Sequence, residues 1–157
     1  MRNSVVFRSA LICGVLAVAG YMYVMARTSL AMDKESSAFA MNTVVAVGAH
    51  WDPAALWQRA TPHFREQTTQ DELRAQFDAA NGRLGPMTES LAIAGKTSFP
   101  IIPTGAPLFA DYIVRSAFAK GEADIVVRTV RTGTTWAIDS FSIGASPEMR
   151  KLLGLQG

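Results

Sequence analysis

The feature that most constrains this 157-residue chain is a change of hydrophobic period at Pro86. Before it, Leu73, Phe77, Ala80 and Leu84 recur at intervals of four, three and four, which lines one face of a helix. After it the period is two. Tyr112, Val114, Ser116 and Phe118 share one side of an extended segment, and Ala123, Ile125, Val127 and Thr129 share one side of the next. Lys120-Gly121 and Gly133 supply turns too short for anything but antiparallel neighbours. Helices followed by a meander give an α+β plan, with the helices covering one face of a sheet of about four strands.

Local signals sharpen the element boundaries. Thr69 and Glu72 have capping-box spacing, so the threonine hydroxyl and the glutamate carboxylate can each satisfy a free amide at the helix start. That helix ends near Gly82 to Gly85, where Pro86 forbids continuation. Asp52-Pro53 starts a shorter helix over 54–60, because aspartate caps and proline at the first helical position has no N–H to leave unpaired. It presents Leu56 or Trp57 inward. Residues 39–49 are ambiguous: Phe39, Thr43, Val47 and His50 fit a helical stripe, whereas Thr43-Val44-Val45 has strand propensity. Leu91 and Ile93 alternate in a first strand. In the last strand the large apolar positions shift phase from Trp136 and Ile138 to Phe141 and Ile143. A bulge near Asp139-Ser140 would restore the register and curve the sheet. Pro100, Pro103, Gly105 and Pro107 mark an irregular loop between the first two strands. Ser146-Pro147 opens a short tail with Met149, Leu152 and Leu153.

Charge is unevenly spread. The whole chain carries 15 basic and 13 acidic residues, for a net +2, and is 49% hydrophobic. Of the first 27 residues, 19 are hydrophobic and three are arginines (Arg2, Arg8, Arg27), with no acid. The other 130 carry 12 basic against 13 acidic residues, a net −1, and are about 45% hydrophobic. Residues 9–26, bounded by Ser9 and Ala26, are uncharged and mostly apolar; as a helix they would span about 27 Å, enough for the hydrocarbon core. Two readings stay open: a retained signal-anchor, or a secretory signal cleaved after a small-x-small site such as Ala17-Val18-Ala19 or Ser29-Leu30-Ala31. The run continues through Tyr21, Met22, Tyr23, Val24 and Met25, which a cleaved signal does not need, and its tyrosines suit a membrane interface. The expected organisation is an anchor at 1–27, a linker at 28–37, an α+β domain at 38–145 and a tail at 146–157. The expected location is the inner membrane, with a single pass and the domain in the periplasm; secretion after cleavage is the alternative.

The order of elements resembles the cone-shaped nuclear-transport-factor-2-like (cystatin-like) superfamily. More narrowly, it resembles a bacterial family of small exported domains of unknown function, the DUF4019 type. The resemblance spans residues 39–143 and rests on several stretches. These are Trp57 with Ala60, Pro62 and Phe64 after it, the helix closing in Arg83-Leu84-Gly85, Tyr112 and Val114 leading to Phe118, and Trp136-Ala137-Ile138 with Phe141 and Ile143. The sequence departs from it where a Gly-acid-Tyr turn is replaced by Ala110-Asp111-Tyr112. The resemblance implies a fold, export and a partly enclosed space between sheet and helices, with no activity to transfer. Some relatives of this shape use that space as an enzyme pocket with an Asp base and Tyr or acid donors.

The composition excludes several function classes. One cysteine, Cys13, cannot close an internal disulfide; inside the apolar run it acts as a small hydrophobe. His50 and His63 lie thirteen positions apart without a carboxylate at ligand spacing, so no metal and no cofactor is expected. Basic residues are interleaved with acids, which argues against nucleic acid. No phosphate loop, nucleophile elbow or Ser/His/Asp order is present. Tyr112, Asp139 and His63 are the candidates for acid/base chemistry in a cavity; alternation sends Asp111 and Tyr112 to opposite faces. Trp51 and Trp57 could form a ligand platform, though helix-to-sheet packing accounts for them more simply.

The reading these features support is a membrane-anchored, extracytoplasmic binding domain of the bacterial envelope. It would reach the membrane through its N-terminal helix and bind an envelope protein or a small apolar ligand, with Pro100, Pro103 and Pro107 as the contact loop. A small isomerase or hydrolase using the enclosed space is the alternative, and a structural or stress-related envelope protein a third.

Overall fold

The structure is a computed structural model. It describes residues 2–98 and 107–144, with the side chains of 2–19 and of Met25 outside the description. Pro100, Pro103 and the tail after Gly144 therefore lie outside the described residues. The chain divides into two compact units, Met1–Lys34 and Glu35–Gly157.

The first unit is helical from Arg2 onward, as part of helix α1 (Arg2–Gly48). Of its described side chains, Tyr21, Met22, Tyr23 and Val24 are 59 to 65% exposed. Arg27 lies over the Tyr23 ring at 5.1 Å, and Thr28 Oγ1 donates to the Val24 carbonyl at 2.9 Å. Among the described residues no helix is long and apolar enough to cross a membrane. Of the expected span from Ser9 to Ala26, residues 9–19 and Met25 are outside that comparison. Residues 28–37, expected as a linker, are helical, and the division between units falls inside them.

The second unit begins with the rest of α1, which settles the ambiguity at residues 39–49 in favour of helix. Ala40, Thr43, Val44 and Val47 are buried at i, i+3, i+4 and i+7, so a helical stripe overrides the local strand propensity of Thr43-Val44-Val45. Past the end of α1 the chain turns at Trp51, a non-glycine residue at φ 51°, and the Asp52 amide donates back to the Val47 carbonyl at 3.2 Å. This is the six-to-one closure of a left-handed helix cap, with tryptophan where glycine usually sits. The indole makes that costly backbone tolerable. It stacks on Phe118 at 5.3 Å, meets Phe77 edge-on at 5.7 Å and donates to the Gly85 carbonyl at 2.7 Å.

Helix α2 (Pro53–Arg59) forms as expected, with Asp52 accepting from the Ala54 amide; Leu56 is fully buried and Trp57 half-buried. A further helix, α3 (Pro62–Gln67), was not expected, although Thr61-Pro62 repeats the cap-plus-proline signature of Asp52-Pro53. Helix α4 (Gln70–Leu84) carries the full capping box at Thr69 and Glu72 and buries Leu73, Phe77 and Ala80. The bonds from Thr69, backbone first and then hydroxyl, hold the Glu72 carboxyl below its ordinary pKa.

The strands are β1 (Met87–Ser98), β2 (Leu108–Phe118), β3 (Gly121–Thr132) and β4 (Thr135–Ile143), antiparallel in the order β1-β2-β3-β4. The molecule is thus α+β, with helices packed on one face of a four-stranded antiparallel sheet. Between β3 and β4 the pairing passes from Arg128↔Ser140 to Thr129↔Ile138, leaving Asp139 as the extra residue. The bulge is where the phase shift requires it. In β1 the expected alternation of Leu91 and Ile93 does not hold. The register jumps between Ser90 and Ala92, Leu91 is the unpaired residue and is exposed, and Ile93 packs against the core opposite Val114. The free side of β4 takes a short parallel bridge from Ala60 to Ile138, with the Thr61 amide donating to the Ile138 carbonyl at 2.7 Å.

Candidate functional site

The space between helices and sheet is the first place to look for chemistry, and aromatic side chains occupy it. Phe77 is buried against Trp51 and meets Phe141 edge-on at 5.8 Å; Phe118 lies beneath Trp51, and Trp136 packs at the margin with its ring under Arg131. Tyr112, the candidate donor, is buried in the same layer. Its hydroxyl shares a 2.6 Å hydrogen bond with Ser36 of α1, and Ser36 shares a second, at 3.0 Å, with Thr97 of β1. These three hydroxyls fasten the helix to the first two strands. Residues 110–112, where the family resemblance expects a turn, lie inside β2 instead. The glycine that makes room for Tyr112 stands across the ladder: Gly95 pairs with Tyr112 at φ 150°, where a Cβ would strike the Asp111 carbonyl and lie 2.6 Å from the tyrosine ring.

Asp139 and His63 do not join Tyr112. Asp139, turned aside by the bulge, accepts from the Thr61 hydroxyl at 2.9 Å, and that hydroxyl in turn accepts from the Phe64 amide to cap α3. His63 is exposed on the first turn of α3, with Nε2 at 3.2 Å from the side-chain Nε2 of Gln67. The three candidate acid/base groups therefore have partners in three different places. General acid/base catalysis needs them within hydrogen-bond reach of one reacting atom. Among the described residues no group of three or more His, Cys, Asp or Glu is placed to hold a metal ion.

The other face of the sheet carries a different arrangement. Arg128 of β3 grips Asp111 of β2 directly across the ladder, Nε to Oδ1 at 2.7 Å and Nη2 to Oδ2 at 3.1 Å. Asp111's hydrogen bond, assisted by the charges of Asp111 and Asp139, raises the Arg128 pKa against the opposing effect of partial burial. The guanidinium also lies 5.4 Å from the centre of the exposed Phe109 ring. Four residues further along β2, Arg115 bonds the buried Asp124 at 3.1 Å, again directly across. A shallow depression of about 330 Å³ opens beside that pair, lined by Arg115, Glu122, Ala123 and Asp124. Two cross-strand ion pairs thus bracket the paired residues Ile113 and Val126. Paired charges and an exposed aromatic ring suit recognition of another surface better than proton transfer.

The remaining candidates divide. Pro107 is exposed immediately before β2, whereas Pro100 and Pro103 lie outside the described residues. Trp51 belongs to the core, and Trp57 packs half-buried against it with Arg65 over its ring at 5.8 Å. His50 is exposed just past α1. Sequence reasoning missed the Ser36–Tyr112–Thr97 cluster, since partners 61 and 76 positions apart leave no local signal. It also missed the Asp111–Arg128 and Arg115–Asp124 pairs, although opposite charges on facing strands of a predicted meander were visible. Comparison with family models, with curated proteins and with solved structures finds no match.

Proposed function

We propose that this chain is a membrane-anchored binding domain of the bacterial envelope, held by its N-terminal helix with the α+β unit on the extracytoplasmic side. The observation that carries the anchoring is the exposure of four consecutive large apolar residues, Tyr21, Met22, Tyr23 and Val24, in a helix whose flanking charges are arginines. Apolar side chains left in water along such a run are stabilised by lipid, with tyrosines and arginine at the interface. Binding rather than catalysis is supported by the separate engagement of Tyr112, Asp139 and His63, and by the aromatic packing of Trp51, Phe77, Phe118 and Phe141 between helices and sheet. The cone-shaped, nuclear-transport-factor-2-like arrangement is supported by the element order and by the bulges in β1 and β4, which bend a sheet. The partner is an envelope protein or a small apolar ligand.

Fractionation tests the anchor. The full chain should stay with membranes through alkaline carbonate extraction, and added protease should reach residues 35–144 only from the extracytoplasmic side. A Leu16→Asp/Val24→Asp variant should be released. Recovery of the unaltered chain in the soluble fraction would overturn the anchoring. Binding is tested by capture from envelope extracts against a control bearing the N-terminal helix alone; no partner above that control would overturn that part.

A further inference from the structure

The sulfur of Met41 stands over a step of the sheet that carries two hydroxyls. Met41 lies on the flank of the buried α1 stripe, packed against the core on one side and partly open on the other. The Ser90 hydroxyl of β1 donates to Met41 Sδ at 2.9 Å, joining α1 to the edge strand. Directly across the ladder from Ser90 is Ser116 of β2, so the two hydroxyls share the face that meets the helices. Directly opposed Cβ atoms lie about 5 Å apart, within a side chain's reach of each other. Ser116 is 0% exposed, and its Oγ has no partner among the described residues.

The donors and the acceptor at this step are unevenly matched. A thioether sulfur accepts weakly, and Ser116 is a buried donor with no acceptor, which costs free energy in the folded state. One added atom corrects both. A sulfoxide oxygen is polar and can accept from two donors, and the unbranched methionine side chain can turn about its single bonds to direct it. Oxidation of a packed methionine ordinarily disrupts its surroundings, because the new oxygen is buried without a donor. Beside Met41 one donor is already aimed at the sulfur and a second stands next to it.

We propose that Met41 is a modification site, converted to the sulfoxide by an oxidant of the peroxide class, with Ser90 and Ser116 donating to the new oxygen. A lone pair of Sδ attacks one peroxide oxygen as the O–O bond breaks. Sulfur loses two electrons, the peroxide gains them, and its other oxygen leaves as water. The oxidised Met41 is then bonded to both β1 and β2, where the unoxidised side chain is bonded to β1.

Hydrogen peroxide treatment of the full chain tests this, in a Cys13→Ser background that removes the thiol. Peptide mass spectrometry should find one added oxygen on Met41 in the folded protein, as well as on the exposed Met22. Urea unfolding of treated and untreated protein then reads the two hydroxyls. Ser116→Ala should raise the midpoint of the untreated protein, by removing the unpaired donor, and lower that of the treated protein. Ser90→Ala should lower the treated midpoint by more than the untreated one. Met41→Leu should abolish the reversal at Ser116. A folded chain with Met22 oxidised and Met41 intact would overturn the proposal. So would a Ser116→Ala shift of one sign in both forms, equal losses from Ser90→Ala in both forms, or a reversal that survives Met41→Leu and so belongs to another methionine.

Discussion

The two faces of one sheet are built from the same residues of β2 and β3, taken alternately, and they are held by different physics. On the inner face Tyr112, Val114, Phe118, Ile125 and Val127 meet the helices in a close-packed layer, where stability comes from apolar burial and ring contacts. On the outer face the intervening residues Asp111, Arg115, Asp124 and Arg128 pair across the ladder, and only Ile113 and Val126 are apolar and hidden. The lesson is that the inner face carries the apolar packing that fixes the fold, while the outer face carries the charge pattern.

The contrast predicts a graded set of effects. Phe77→Ala should be the most damaging, because it opens a cavity beneath Trp51 and Phe141; a loss of about 3–5 kcal/mol is expected in urea unfolding. Gly95→Ala comes next, about 2–3 kcal/mol, since the new Cβ meets backbone rather than a flexible side chain. If Gly95→Ala unfolded at the same urea concentration as the parent, the tight Gly95–Tyr112 crossing would be wrong. Tyr112→Phe should cost about 1–2 kcal/mol through the lost bond to Ser36, with no change in the slope of the transition. Ser116→Ala should move the other way: its buried hydroxyl has no partner among the described residues, so removal should stabilise by up to about 1 kcal/mol. Arg128→Ala is the smallest, below about 1 kcal/mol and shrinking further in high salt, because the pair is half-exposed and screened. A loss from Arg128→Ala as large as that from Tyr112→Phe would break the contrast between the faces.

Elements with local causes were legible in the sequence. The capping box at Thr69 and Glu72 and the Asp52-Pro53 start each need only four residues or fewer to be read. The alternation of Tyr112 to Phe118 and the phase shift around Asp139 were legible for the same reason, since a strand's face is set by parity. The α1 stripe was harder, because β-branched residues at 43–45 favour strand locally and only burial of Ala40, Thr43, Val44 and Val47 against the sheet settles the matter. Helix α3 was readable but overlooked. Leu91 was misplaced because a bulge in an edge strand changes parity without changing composition.

The candidate site was legible only as a set of residue types. Sequence could nominate Tyr112, Asp139 and His63 and could separate Asp111 from Tyr112 by parity. It could not show that Tyr112 is committed to Ser36, Asp139 to Thr61 and Asp111 to Arg128, because those partners meet across 76, 78 and 17 positions of chain. By itself, then, the sequence determined the helices-then-strands plan, the bulge at Asp139 and the uneven spread of charge, all of which follow from spacing along the backbone. Only the tertiary structure decided what fills the interior, which hydroxyls are already engaged, and that the two faces of the sheet differ in kind. Those outcomes depend on which side chains share a neighbourhood in three dimensions.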